Sequence, residues 1–334
     1  MPILVLGRVL GGISTSLLFS AFESWMVSEH RKKNIPEELL VETFSLASWG
    51  NGVIAICAGF IAQLASDTRG DIGPFQVAIC LTVVSLILVL FWDENTGDHS
   101  DQTIKKTSEI TPNVSFQKSV QLSLKVITSN PNILLLGLSQ SFFEGAIYTF
   151  VFMWVPSLIQ STSGSIPTGL VFSCFMLSMT IGGILFSILL QFSFSSESLC
   201  LYVYVISAMA MLVPVITFEF WPVFFSFLVL ETMLGMFNSC GAQLRSKFYP
   251  DNLQSSIMSV FRVPLNLLVV FGTKLSEKAN DIFSLQTVFK VVALMHLFAF
   301  FMHCFIFMKY FSVEVVKDRK SLPGLKMNKK NKEH

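Results

Sequence analysis

The stretch Leu199-Cys-Leu-Tyr-Val-Tyr-Val-Ile-Ser-Ala-Met-Ala-Met-Leu-Val-Pro-Val-Ile-Thr-Phe218 runs for twenty residues without one charged side chain. At 1.5 Å per residue a helix of that length covers about 30 Å, the thickness of a bilayer's hydrocarbon core. No water is available there, so only a helix keeps every backbone N–H and C=O paired within one segment. Working outward, apolar runs of similar length recur along the chain. We read nine spans: A (3–27), B (42–65), C (73–92), D (132–156), E (166–190), F (199–218), G (221–242), H (254–273) and I (283–308). The expected fold class is therefore all-α, a polytopic membrane helix bundle.

Composition supports this reading. Of 334 residues 52% are hydrophobic and 13% charged, where soluble domains carry about a quarter charged. Such a chain has too little polar side-chain surface to cover a water-soluble fold. The net charge of +1 provides no field to attract nucleic acid, and none is expected as a partner. Membrane lipid is. Cys57, Cys80, Cys174, Cys200, Cys240 and Cys304 sit in apolar stretches without CxxC spacing, and read as small core or lipid-facing residues rather than metal ligands. No cofactor is implied. The sequence contains no HExxH, no GxSxG and no P-loop, so an enzyme is not expected.

The segment 93–130 is polar and contains no spanning run. It divides the chain into a partial N-terminal half with three spans (1–92), a central loop (93–130), a six-helix C-terminal half (131–310) and a basic tail (311–334). Lysine and arginine set the orientation. If the A–B loop is cytoplasmic, seventeen of them fall on the cytoplasmic side and three, Arg69, Lys274 and Lys278, on the other. The tail is then cytoplasmic, and the sequon Asn113-Val-Ser115 should carry no glycan.

Ionisable groups at membrane depth cost roughly 2.5–3.5 kcal/mol at a helix centre on insertion scales, so they mark candidate sites. Gln140, Glu144 and Tyr148 make one polar stripe at i, i+4, i+8 along span D. The stripe suits a cavity wall; a structural hydrogen bond between helices is the plainer alternative. Arg8 in span A and Glu231 in span G occupy corresponding places in a weak internal repeat. That repeat pairs Arg8, Gly12, Thr15, Phe19 and Glu23 with Glu231, Gly235, Asn238, Ala242 and Arg245. Arg262 in span H either contacts a substrate or pairs structurally. Glu23 suits a gating or structural ion pair. Lys290 lies near a span end, where it can snorkel to the surface. His296 and His303 share a face of span I and read as structural. Gly12, Ser16 and Ser20 form a small-residue ridge, Gly182-Gly183 another, and Pro156, Pro214 and Pro264 are expected to kink or end their helices.

The run Gly7-Arg-Val-Leu-Gly-Gly-Ile-Ser-Thr-Ser-Leu-Leu-Phe-Ser-Ala-Phe-Glu-Ser-Trp25, with Glu29-His30, resembles the molybdate-anion transporter family of the major facilitator superfamily. So do Gln140-Ser-Phe-Phe-Glu144, Phe152-Met-Trp-Val-Pro156 and Phe261-Arg-Val-Pro-Leu265. The resemblance implies that spans A to I correspond to helices four to twelve of a twelve-helix fold, the first three being absent. It also implies a secondary carrier, in the plasma membrane, that mediates uptake of molybdate or a similar inorganic oxyanion. The superfamily's Gly-Asp-Arg-rich loop motif and the Gly-Pro pair of its antiporter motif are missing, which leaves coupling open. A tetrahedral dianion calls for guanidinium and hydroxyl donors, and Arg8, Thr15, Asn238 and Arg262 fit that role. Glu144 and Glu231 would repel the anion unless protonated or paired with arginine, making a proton a candidate coupling partner. The competing reading is a truncated, non-transporting membrane protein that acts as a subunit, regulator or receptor.

Overall fold

The computed structural model describes residues 2–33, 35–92, 116–162, 164–250, 253–277 and 282–321. The sequon, the last thirteen residues and most of the central loop lie outside these. Many side chains of the first two helices, Thr15 and Glu23 among them, lie outside as well. Every regular element among the described residues is helical. In chain order they are α1 (Pro2–Lys32), α2 (Glu37–Arg69), α3 (Gly73–Val89), α4 (Phe116–Ser129) and α5 (Pro131–Gln160). Then follow α6 (Thr168–Gln191), α7 (Ser196–Ile216), α8 (Phe220–Phe248), α9 (Gln254–Ser276) and α10 (Ile282–Ser321).

Seven stretches among the described residues are long and apolar enough to cross a membrane. One of them, Trp49–Val89, takes in most of the expected spans B and C together. Its 41 residues would make about 60 Å of straight helix, twice a bilayer core. The chain breaks it with a 3-10 turn at Gly70–Ile72, where Gly70 takes φ +69°, a conformation that a side chain disfavours. Gly73 then begins α3 against the backbone of Ala65, so α2 and α3 form a hairpin. In α1 the apolar stretch found among the described residues is the shorter Val5–Ser14.

Two compact units emerge. Among the described residues, the first comprises those up to 92 with 169–173, the second those of 116–168 and 174–321. In the second unit α10 packs along both α5 and α7, α7 along α8, and α9 along α5. Its core is aromatic: Phe143 stacks on Phe237 at 4.1 Å between ring centres, and Phe150 meets Phe227 at 4.9 Å. Local signals set the helix starts. Asn130 accepts the N–H of Asn132 at 3.0 Å, and Pro131 fills the first turn of α5, where its missing N–H costs nothing. Ser195 caps α7 through the N–H of Ser198, 3.2 Å away.

Small residues let α5 and α9 approach closely. A Cβ on Gly137 would strike the Phe261 ring, one on Gly145 would lie 2.9 Å from Leu268 Cβ, and one on Gly272 would strike Thr149. The Ser141 hydroxyl, 2.8 Å from Gly137 O, also reaches Phe261 O at 3.1 Å. Gly137, Ser141, Gly145 and Thr149 recur every four residues and form a small-residue ridge on α5. Of the ridges expected from the sequence, Gly182 packs against the Thr232 carbonyl, whereas Gly12 and Gly183 face open space.

Three findings refine the expectations. Pro156, Pro214 and Pro264 all lie inside continuous helices and end none of them. The segment 93–130 contains the helix α4, which is amphipathic and too short to span. Cys200 and Cys240 are buried and Cys304 partly so, while Cys57, Cys80 and Cys174 are exposed.

Candidate functional site: a cleft between α5, α8 and α9

Gly137, Gln140, Ser141, Glu144 and Tyr148 of α5 line an open cleft of about 120 Å³ in the second unit. Opposite them stand Arg245 near the end of α8, Tyr249 just beyond it, and Met258, Phe261, Arg262 and Leu265 of α9. The α5 residues reach one wall because their spacing of three to four keeps them on one helix face. The glycine seam brings α9, and with it Arg262, against that face.

The wall is cross-linked. Arg245 Nη1 donates to Gln140 Oε1 at 3.2 Å, and Gln140 Nε2 donates to Gly241 O at 3.4 Å. Gln140 is 5% exposed, so its amide is a fixed support that holds the guanidinium toward the cleft. The charges of Arg245 and Arg262 both act on Glu144. Among the described residues neither arginine makes a direct ion pair with it. Tyr249 is buried, which pushes its phenol above the ordinary range; Arg245 pulls the other way, and Glu144 adds to the rise. Tyr249 thus stays a neutral hydroxyl, able to donate a hydrogen bond. Two guanidinium groups, two phenols and an amide around one carboxylate make a site suited to an anion.

The expected site residues divide. Gln140, Glu144 and Arg262 come together here. Glu231 and Asn238 do not line the cleft. Glu231 is 5% exposed, with Oε2 buried and unpartnered. Asn238 is exposed, its amide nitrogen 3.9 Å from Met179 Sδ. Arg8 is exposed in the first unit, and Thr15 and Glu23 fall on side chains outside the described set. Sequence reasoning left Arg245 and Tyr249 out of the site. A signal for Arg245 was present: it ends the polar face of α8 that begins at Glu231.

The two histidines of α10 serve the packing. A carbonyl can only accept, so His296 Nδ1 donates to Val292 O at 2.8 Å and His303 Nε2 to Glu197 O at 3.2 Å. No cluster of three or more metal-ligating side chains occurs among the described residues.

Residues 1–237 match the family model MFS_5, described as sugar transporters with 12 TM, and the chain belongs to that family of multi-pass membrane proteins. Within it the chain is similar to proteins named molybdate-anion transporter. It is 32% identical to that of Xenopus laevis over 313 residues, covering 88% of this chain and 65% of the relative. The Xenopus tropicalis protein is also 32% identical, over 311 residues (89% and 64%), and that of Takifugu rubripes 30% over 291 residues (81% and 60%). The chain thus spans less than two thirds of the length of these relatives.

Proposed function

We propose that this chain acts as a secondary carrier that mediates cellular uptake of molybdate or a similar inorganic oxyanion, with the cleft as the anion's seat. The observation that supports it most is that Arg245 and Arg262 both line one cleft, beside hydroxyl donors, and both act on Glu144. The names of the relatives supply the substrate class. Arg245 and Arg262 clamp the anion, Gln140 holds Arg245 in place, and Tyr249 donates a further hydrogen bond. Glu144 must be neutral, or shared with an arginine, while a dianion is bound, because like charges at close range oppose each other. A proton taken up with the anion satisfies that requirement. Arg8, Thr15, Glu231 and Asn238 are further candidates along the path, and Glu23 a gating one. The membrane is the plasma membrane, with the C-terminus in the cytoplasm.

The test is uptake of radiolabelled molybdate into cells expressing this chain, alongside equilibrium binding to the purified protein. Arg262→Ala and Arg245→Ala should each weaken binding roughly tenfold or more, the loss of a charge-assisted contact of about 1.5–3 kcal/mol. Unchanged binding in both variants would sink the cleft as the seat. Uptake by the parent chain should rise as external pH falls, and Glu144→Gln should flatten that profile; a variant that keeps the parent's pH dependence removes the proton role. Binding without uptake would favour the receptor or subunit reading over the carrier.

A further inference from the structure

We propose that α4 is a membrane-surface helix whose two leucine flanks enter the bilayer interface and whose Lys125 meets anionic lipid headgroups. The helix spans Phe116–Ser129 and is the most strongly amphipathic in the protein among the described helices. Wound at 100° per residue, its apolar residues Leu122, Val126, Ile127, Phe116, Val120 and Leu124 cover more than half the circumference. Gln121, Lys125 and Thr128 lie on the remaining arc. Among the described residues the middle of the apolar arc is the buried part: Ser123 and Ile127 are buried where α4 rests on α9 and the start of α5. The two edges overhang. Leu122 is 39% and Leu124 46% exposed, on opposite flanks of the same face.

What covers those flanks follows from where the helix sits. Asn130 alone separates α4 from α5, a membrane span that begins at Pro131. A single extended residue advances the chain by only about 3.5 Å, so the end of α4 lies at the membrane surface. Leu134, in the first turn of that span, is itself exposed, so the apolar edge of α4 continues into a lipid-facing surface. The charge is complementary too: α4 carries Lys118 and Lys125 and no acidic residue, and Lys125 is exposed on the outer arc. A helix with a wide apolar face, a basic polar face and low net hydrophobicity suits the plane of the interface. Basic groups there are attracted to anionic headgroups and lose that attraction within a Debye length.

The proposal is independent of transport, and its test needs no substrate. A fluorescent amino acid is introduced by codon suppression at 121, 122, 124 or 128 of the full chain, and the protein is placed in nanodiscs containing lipids brominated near the headgroup end of the acyl chain. Probes at 122 and 124 should be quenched about twofold more strongly than those at 121 and 128. Equal quenching at all four positions, or none at any, would overturn the placement. Adding phosphatidylglycerol to phosphatidylcholine discs should deepen quenching at 124 in the parent chain, and Lys125→Glu should abolish that increase. A deepening that survives the charge reversal would overturn the part assigned to Lys125.

Discussion

Glu197 pairs with Lys247 where the start of α7 meets the end of α8. The carboxylate is 2% exposed as a residue, whereas the lysine side chain is 42% exposed, so water reaches one partner only. Removing the lysine leaves a buried charge without a counter-ion, a loss of roughly 3–5 kcal/mol when both partners are buried. Exposure of Lys247 reduces this, and we expect Lys247→Met to cost about 2 kcal/mol, read as a lower melting temperature in detergent, with Lys247→Arg restoring most of it. The pair also steadies its surroundings. The Glu197 carbonyl accepts from His303, and Cys240 Sγ lies 2.9 Å from the Ser196 carbonyl. These groups join α7, α8 and α10 beside the cleft wall that carries Arg245. At this scale the sequence marks which residues are out of place in a membrane. It does not mark their partners: Gln140 and Arg245 are 105 positions apart, and nothing in the local pattern of either helix names the other.

At the scale of helices, close approach is decided by single hydrogen atoms. Gly182 and Gly183 are adjacent on α6 but stand in opposite circumstances. A Cβ on Gly182 would collide with the Thr232 carbonyl of α8, and Gly235 meets Met179 O in the same reciprocal way. A Cβ on Gly183 meets nothing within 4 Å. Gly182→Ala should therefore force the two helices apart and destabilise the protein by about 1–3 kcal/mol, as overpacking does. Gly183→Ala should be neutral or stabilise by up to about 1 kcal/mol through helix propensity. Thermal unfolding of the two variants side by side checks this; equal effects would contradict the packing. Spans were legible because hydropathy is a local sum. The amphipathic α4 was not identified because fourteen residues that never reach spanning length look, by composition, like part of a polar connection.

At the scale of the whole molecule, membrane topology carries the argument. The lysine and arginine bias predicts that the loop bearing Asn113-Val-Ser115 faces the cytoplasm, away from the glycosylation machinery. Expression in mammalian cells should give a chain whose mobility does not change with glycosidase, while a sequon engineered into the Gly70–Ile72 turn, on the opposite side, should be modified if placed far enough from the bilayer. A glycan on Asn113 would invert the assignment. The 41-residue apolar stretch at Trp49–Val89 adds weight, because reading it as one crossing rather than two would reverse every loop after it.

The sequence by itself determined that this is a helical, multi-pass membrane protein, roughly where its spans fall, and that Gln140, Glu144 and Arg262 are polar groups needing an explanation. These follow from sums and periods over neighbouring residues, and from the cost of placing charge in hydrocarbon. Only the tertiary structure decided which of those groups share a site. It drew Arg245 and Tyr249 to Glu144 and Arg262, and left Glu231 and Asn238 off the cleft wall. The physical reason is that convergence depends on how closely α5 and α9 can approach. That distance is set by Gly137, Gly145 and Gly272 meeting residues more than a hundred positions away in the chain.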